Sequence, residues 1–216
     1  MFSNQHVSKN LCLSSVQIDP DLRFKAMVEP TGSFFLFLKK FFKNPAAMAG
    51  PAPSSPWMVN AIATKVDFAK SMVIVELGAG TGVITRELIK RKATDARFII
   101  VERDQDFCDF LIRSFPDQDI ACGDVNHLDD ILSARGIESV DCIVSSLPLI
   151  SFDDSLKFKV MHMIVKHLNP EGTFFQVTAL PWWRTFYRKY FDIVRYHIVL
   201  RDIPPGGIFV CSSPKK

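Results

Sequence analysis

Three glycines at alternate positions, directly behind a short apolar segment, constrain the fold of this chain more than any other feature. The segment Val73 to Leu77 is rich in β-branched residues, and Gly78, Gly80 and Gly82 follow it. A helical pattern opens at once behind them, from Val83 to Arg91. Glycine lets the backbone turn with positive φ and lets a ligand approach without meeting a Cβ. The pattern predicts a buried strand, a tight turn and a helix N-terminus in an open α/β sheet.

The spacing of these glycines distinguishes between nucleotide ligands. A dinucleotide site needs Gly or Ala three positions after the second glycine, and this chain has Val83 there. With Glu76 in front, the pattern Glu-x-Gly-x-Gly-x-Gly resembles motif I of the class I S-adenosylmethionine (SAM) methyltransferases. A dinucleotide site and a glycine-rich turn without a ligand are the alternatives. The resemblance implies SAM as the cofactor, bound by Glu76, Gly78, Gly80, Thr81 and Gly82.

Two later carboxylates stand where such a cofactor needs them. Phe98 to Val101 is typical of a second strand, and Glu102 ends it, 20 positions beyond the last glycine. A carboxylate there can accept both ribose hydroxyl hydrogens, and the alternative is a solvated charge at a strand end. The pattern of Ile120 to Val125 predicts a third strand that closes in Gly-Asp. The resemblance implies that Asp124 accepts from the adenine amino group and that the backbone amide of Val125 faces the ring.

The segment after the fourth predicted strand, Val140 to Ser145, is the expected acceptor side. In the methyltransferase family, Ser145 corresponds to a cofactor-binding position. Methyltransferases that act on the amino groups of bases place Asn or Asp here, then a proline turn, then an aromatic residue that stacks on the base. In this chain Ser146 replaces the amide and Leu149 replaces the aromatic residue. The loop therefore favours a compact alkyl amine over a flipped adenine.

Three segments together resemble the bacterial phospholipid N-methyltransferases, which methylate phosphatidylethanolamine stepwise towards phosphatidylcholine. They are Ser145 to Phe152, Pro53 to Ser55, and Pro204-Pro205. This branch is close to the ribosomal RNA adenine dimethylases. The resemblance implies a mostly parallel, seven-stranded sheet with helices on both faces and an antiparallel last strand. We predict Ser146, Tyr187 and Tyr190 as the residues that contact or orient the amine.

Two other function classes stay open at this point. An adenine N6-methyltransferase acting on ribosomal RNA is the alternative enzyme, although the replaced acceptor residues argue against a nucleic-acid substrate. A SAM-binding or membrane-associated protein without catalysis is the alternative outside the enzymes. The sequence leaves open the headgroup, the number of methyl groups added and the oligomeric state.

Charge is distributed unevenly along the chain, although its total is only +3. Residues 1–56 carry six basic and three acidic side chains, and residues 180–216 carry seven and two. The part between them has 13 basic and 18 acidic side chains. Two basic ends around an acidic body predict an anionic partner, either a membrane surface or nucleic acid.

Two aromatic and basic segments are candidates for the membrane contact. Wound as a helix, Phe34 to Lys43 has its lysines on one side and most of its phenylalanines on the other, which suits the headgroup region of an anionic bilayer. We also predict a helix over Pro181 to Phe191, of which Trp182 to Phe191 has the composition of a membrane interface. Packing of either helix on the protein is the alternative. We predict an arm over 1–30, the amphipathic helix and a linker over 31–56, and the methyltransferase domain over 57–216.

The remaining composition indicates a cytoplasmic protein that is peripheral at the inner membrane. The five cysteines form no Cys-x-x-Cys pair, so we expect reduced thiols and neither disulfides nor a metal site. The longest clearly apolar run is Phe34 to Leu38, far below the roughly 18 residues of a membrane span. We expect no signal peptide.

Overall fold

A computed structural model describes residues 54–202 and 205–215 of the chain. The predictions for the N-terminal arm, the Phe34–Lys43 helix and most of the linker lie outside these residues. The described helices are α1 (Pro56–Ala63), α2 (Val83–Arg91), α3 (Gln105–Ser114), α4 (Leu128–Ser133), α5 (Asp154–His167) and α6 (Arg184–Tyr187). The described strands are β1 (Val73–Leu77), β2 (Arg97–Glu102), β3 (Asp119–Cys122), β4 (Val140–Ser145), β5 (Leu168–Thr178), β6 (Phe191–Val199) and β7 (Gly206–Pro214).

The seven described strands form one sheet in the order β3-β2-β1-β4-β5-β7-β6. The pairs from β3 to β5 are parallel, and β7 runs antiparallel to both β5 and β6. Strand β6 therefore points in the same direction as β5, and only β7 is reversed. This arrangement confirms the predicted fold class. It also places the carboxyl ends of β1 to β6 at one edge of the sheet, where open α/β folds bind their ligands.

Helices cover both faces of the sheet, which is why the central strands are apolar on successive positions. Side chains of α1, α2 and α3 pack on one face around Ile74 and Ile100. Side chains of α4, α5 and α6 pack on the other face around Val75 and Ile143. Strand β1 buries four of its five residues completely, including Glu76. A carboxyl group buried in such a strand costs free energy unless it is hydrogen-bonded or neutral.

Helix α1 begins where its sequence predicts. The Ser55 hydroxyl accepts a hydrogen bond from the Met58 backbone N–H at 3.2 Å, and Pro56 occupies the first turn. Both features stabilise a helix N-terminus. The helix ends at Ala63, however, and not near Phe68 as its apolar pattern suggests. The chain then turns into β1.

The predicted helix over Pro181 to Phe191 is wrong in extent. A 3₁₀ turn covers Pro181–Trp183, the α-helix is the single turn Arg184–Tyr187, and β6 begins at Phe191. Phe191 pairs with Pro214 in β7, and its ring stacks on Phe174 at 5.7 Å between centroids. Pairing with a strand that comes later in the chain therefore overrides the local helical pattern.

Other differences concern boundaries. The segment Asn169 to Gly172, whose composition is typical of a turn, belongs to β5, opposite a register shift between Val140 and Cys142 in β4. Strand β7 begins at Gly206, and the close approach of the His197 carbonyl to Gly207 leaves no room for a Cβ at that position. Across the described residues, every helix is too short or too polar to cross a bilayer.

Candidate active site

The loop between β1 and α2 has the backbone conformation that its glycines predict. Gly78, Gly80 and Gly82 have φ of +75°, +54° and +72°. A Cβ on Gly82 would lie 2.6 Å from a ring carbon of Phe115, so this glycine lets α2 start close to α3. A Cβ on Gly80 would meet no atom within 4 Å in the described structure. The loop therefore packs tightly at its end and borders open space at its centre.

Glu102 ties the end of β2 to this glycine loop. Its Oε2 accepts a hydrogen bond from the Gly80 backbone N–H at 2.8 Å. Its Oε1 accepts from the backbone N–H groups of Arg103 and Asp104, both at 2.9 Å. The side chain is buried, and desolvation raises its pKa, while these backbone donors oppose that shift. The carboxylate is thus oriented in advance, and its contact with a ribose stays a prediction.

Glu76 lies beneath the loop and is completely buried. The Thr85 hydroxyl in the first turn of α2 donates to its Oε2 at 2.6 Å. Desolvation raises the pKa of Glu76 to about 8, and the nearby charge of Glu102 contributes in the same direction. Sequence reasoning missed Thr85, although it stands on the first turn of the helix that the glycine loop introduces.

Three buried side-chain oxygens have no hydrogen-bond partner among the described residues. They are Oε1 of Glu76, Oγ of Ser146 and Oε1 of Gln176. Buried polar atoms are nearly always paired, so each unpaired atom needs an explanation. All three belong to strands, or to a loop, at the carboxyl edge of the sheet. This position is the one where a ligand supplies missing partners.

The segment after β3 carries the predicted adenine contacts. The Asp124 carboxylate accepts from the Asn126 backbone N–H at 2.8 Å and caps a short 3₁₀ turn. Its other oxygen is 3.7 Å from a guanidinium nitrogen of Arg103. Val125 is buried. The Gly123 backbone N–H donates to the Glu102 carbonyl, at the end of β2, at 2.8 Å. The segment thus lies beside Glu102, and its role in binding adenine stays a prediction.

The loop after β4 folds back across the end of β1. The Ser146 backbone N–H donates to the Leu77 carbonyl at 2.9 Å, and the Ser145 hydroxyl accepts from the Leu147 N–H at 3.3 Å. A Cβ on Gly78 would lie 3.1 Å from the Leu147 side chain. The structure therefore brings the predicted acceptor loop directly against the predicted cofactor loop. Thr81 is also buried at this junction.

The two predicted tyrosines lie on the α5 and α6 face of the sheet. The Tyr187 ring is buried against Phe209 at 4.8 Å and Phe174 at 6.2 Å between centroids. The Tyr190 ring meets His162 edge-on at 5.5 Å. Burial raises the pKa of both phenols, so both stay neutral at physiological pH. Their contacts place them in the core cluster, and their contact with an amine stays a prediction.

The residues at this edge fit SAM. Four features agree with this fit: the positive φ of the glycines, the open space around a Cβ at Gly80, the oriented carboxylate of Glu102 and the unpaired buried oxygen of Glu76. SAM carries an ammonium and a sulfonium group and no phosphate. Among the described residues, no group of three or more His, Cys, Asp or Glu side chains is placed to hold a metal ion.

Comparison with known proteins decides the family. The ribosomal RNA adenine dimethylase family matches residues 54–129. The ornithine lipid N-methyltransferase of Singulisphaera acidiphila is 42% identical over 187 residues, which cover 85% of this chain and 97% of that protein. The chain belongs to the methyltransferase family of this relative from Singulisphaera. The methyltransferase uses SAM, as its glycine motif predicts.

Solved structures agree on the fold. The N-methyltransferase NodS from Bradyrhizobium japonicum, in complex with S-adenosylhomocysteine (SAH), has a TM-score of 0.63 at 13% identity, over 83% of this chain and 99% of that one. The O-methyltransferase from Bacillus cereus, also with SAH, has a TM-score of 0.65 at 11% identity, over 91% of this chain and 96% of that one. At these identities the likeness concerns the class I methyltransferase fold alone.

Proposed function

We propose that this methyltransferase transfers methyl groups from SAM to the primary amine of a membrane lipid headgroup. The name of its relative from Singulisphaera supports a lipid amine as the acceptor. Ornithine lipid and phosphatidylethanolamine, the headgroup that the sequence resemblance implies, both offer a primary alkyl amine. When bound, SAM supplies a methyl group on a sulfonium, which the lone pair of an amine can displace, leaving a thioether.

The buried position of Leu149 carries the proposal. An aromatic residue at this place in base methyltransferases stacks on the flipped base. Here Leu149 is only 2% exposed and belongs to the core cluster between the sheet and α5. The loop therefore offers no platform at that position for a planar base. A small alkyl amine needs hydrogen-bond acceptors and alignment but no stacking surface.

The ribosomal RNA alternative rests on a part of the chain that does not contact the acceptor. The match to the adenine dimethylase family ends at residue 129, before β4 begins. It covers the glycine loop, Glu102 and Asp124, which serve the cofactor. It therefore supports SAM binding and is neutral on the acceptor.

We assign roles to the predicted site residues on this basis. Glu102 holds the ribose, Glu76 lies beneath the glycine loop near the methionine end, and Asp124 with Val125 holds the adenine. Ser146 Oγ, buried and unpaired in the described structure, accepts a hydrogen bond from an N–H group of the amine. Burial of this atom favours the neutral amine, because desolvation disfavours the charged form.

A lipid substrate requires the carboxyl edge of the sheet to face a bilayer, and exposed apolar side chains lie along this edge. We define the carboxyl rim as four side chains that end or follow β4, β5 and β6. They are Ile150, Trp182, Ile198 and Leu200, of which Trp182 is 69% and Leu200 71% exposed. Exposed aromatic and aliphatic side chains around a site are typical of a surface that enters the headgroup region.

Two lysines lie over aromatic rings where α5 and the segment around α6 meet. The Lys157 ammonium lies 5.4 Å from the centre of the Trp183 ring, and the Lys189 ammonium lies 5.9 Å from that of Phe158. Such pairs suit a bilayer with anionic lipids, which attract lysines near the surface. We therefore propose a peripheral location at the cytoplasmic face of the inner membrane, with Phe34–Lys43 as a second contact.

A labelling experiment tests the function. Radioactive SAM is incubated with the protein and three acceptors: phosphatidylethanolamine, ornithine lipid and unmodified ribosomal RNA. We expect label in one or both lipids on thin-layer plates and none in the RNA. Label in the RNA alone contradicts the proposal. The ratio of the two lipid products assigns the headgroup.

Liposome flotation tests the carboxyl rim with a matched pair on one strand. Ile198 and Ile193 are both exposed isoleucines, at opposite ends of β6. We expect Ile198→Ser to weaken binding to vesicles that contain phosphatidylglycerol, and Ile193→Ser to leave it unchanged. Equal flotation of both variants and the wild type would contradict the proposal that the carboxyl rim contacts the membrane.

A further inference from the structure

Gln176 is a buried amide at the carboxyl end of β5, in a strand whose other interior residues are apolar. It is 1% exposed and stands between Phe175 and Val177. In the sheet it pairs with Ser145 of β4 on one side and Phe209 of β7 on the other. Both of these partners lie at the active-site edge. A polar side chain in this position costs free energy unless it forms hydrogen bonds.

The amide nitrogen of Gln176 is fully used. Its two N–H groups donate to the Leu147 carbonyl at 3.0 Å and to the Val177 carbonyl at 2.8 Å. These bonds fix which end of the amide is nitrogen and tie the acceptor loop to β5. The Leu147 carbonyl also accepts from the Leu149 N–H at 2.9 Å, so both of its lone pairs are occupied.

The oxygen of the same amide has no partner in the described part of the chain. Ser146, the neighbour of Leu147, holds the second unpaired oxygen of this region. Two buried hydrogen-bond acceptors therefore belong to residues that adjoin the Leu147 carbonyl, and residues 54–202 and 205–215 supply no donor to either. Unpaired buried acceptors match a ligand that brings N–H groups.

We propose that Gln176 binds the substrate amine: its Oε1 and Ser146 Oγ each accept one N–H, so that the site selects a primary amine. This assignment rests on the proposed function and specifies the acceptor within it. Two acceptors match the two N–H groups of a neutral primary amine. Each added methyl group removes one N–H, so the contacts weaken from the first methylation to the last.

Equilibrium binding in the presence of SAH tests the assignment without turnover. In water both headgroups carry a positively charged nitrogen. The unmethylated nitrogen can lose a proton and bind as the neutral amine with two N–H groups, whereas the trimethylated nitrogen has none. Phosphatidylethanolamine and ornithine lipid are each compared with their trimethylated forms in detergent micelles. We expect the wild type to prefer the unmethylated form of one of them. Gln176→Met, which keeps the volume, should lower that preference about tenfold, the effect of about one hydrogen bond.

Leu149→Ala is the matched control for a loosened loop. It leaves a cavity beside the acceptor loop but keeps both acceptors, so we expect it to weaken both lipid forms equally. SAH affinity of each variant, measured by calorimetry, shows that the cofactor site is intact. An unchanged preference in Gln176→Met overturns the assignment alone. A wild type that binds neither lipid overturns the proposed function and this assignment with it.

Discussion

The buried carboxyl group of Glu76 makes a quantitative prediction about stability and pH. Its pKa is raised from 4.5 to about 8 in the folded protein, because burial removes the hydration of its charged form and Thr85 supplies only one donor. A group with a raised pKa favours the folded state while it is protonated. Its contribution is complete below pH 4.5 and is lost as pH rises to about 8.

The size of the effect follows from these two values. Between them, each pH unit removes about 1.4 kcal/mol from the free energy of unfolding. From about pH 5.5 to about pH 7.5 the loss is about 2.5 kcal/mol, once partial ionisation near the upper value is included. Since the side chain is completely buried, no discount for solvent screening applies.

Urea unfolding of the wild type and Glu76→Gln over this pH range measures the effect. The amide does not ionise, so the stability of the variant relative to the wild type should rise by about 2.5 kcal/mol between about pH 5.5 and about pH 7.5. Burial lowers the pKa of His197 in both proteins alike, so its titration cancels in the comparison. Glu138→Gln, at an exposed carboxylate, is the control and should follow the wild type. Parallel curves for the wild type and Glu76→Gln would refute the reasoning.

Three further substitutions have distinct expected outcomes. Gly82→Ala should cost about 1–3 kcal/mol in chemical unfolding, because the residue has φ of +72° and its Cβ would lie 2.6 Å from Phe115; a cost below the error of the measurement contradicts this. Glu102→Gln should weaken SAH binding at least about tenfold in calorimetry, since only one acceptor oxygen remains for three backbone N–H groups. Asp141→Ala should cost about 2 kcal/mol, because its carboxylate accepts from two backbone N–H groups at the start of β1. It should leave SAH affinity unchanged, since β1 starts at the opposite edge of the sheet.

Local patterns were sufficient to predict the geometry of the glycine loop between β1 and α2. The turn at Gly78, Gly80 and Gly82 depends on backbone conformations that glycine alone adopts without strain, so the spacing predicts the geometry. The Ser55 cap of α1 depends on a hydrogen bond to a backbone N–H only three residues away, so the local sequence also indicates it. Motif and structure agree at these positions because the interacting atoms are close in the chain.

The acceptor half could not be derived in the same way. Gln176 is an unremarkable polar residue in the sequence, and its partner Leu147 is 29 positions away. Only the parallel pairing of β4 with β5 brings the two together. The predicted helix over Pro181 to Phe191 was wrong in extent for the same reason, because Phe191 joins a strand whose partner comes later in the chain. Its aromatic spacing is compatible with a helix and with a strand entry alike.

By itself, the sequence determined the strand, glycine turn and helix from Val73 to Arg91 and the use of SAM, since each depends on short-range backbone geometry and the spacing of a few residues. The tertiary structure alone decided which buried oxygens lack partners, how Glu76 is desolvated and which side chains form the carboxyl rim. Burial and hydrogen-bond satisfaction depend on contacts between distant segments. Those contacts exist only once the sheet has assembled.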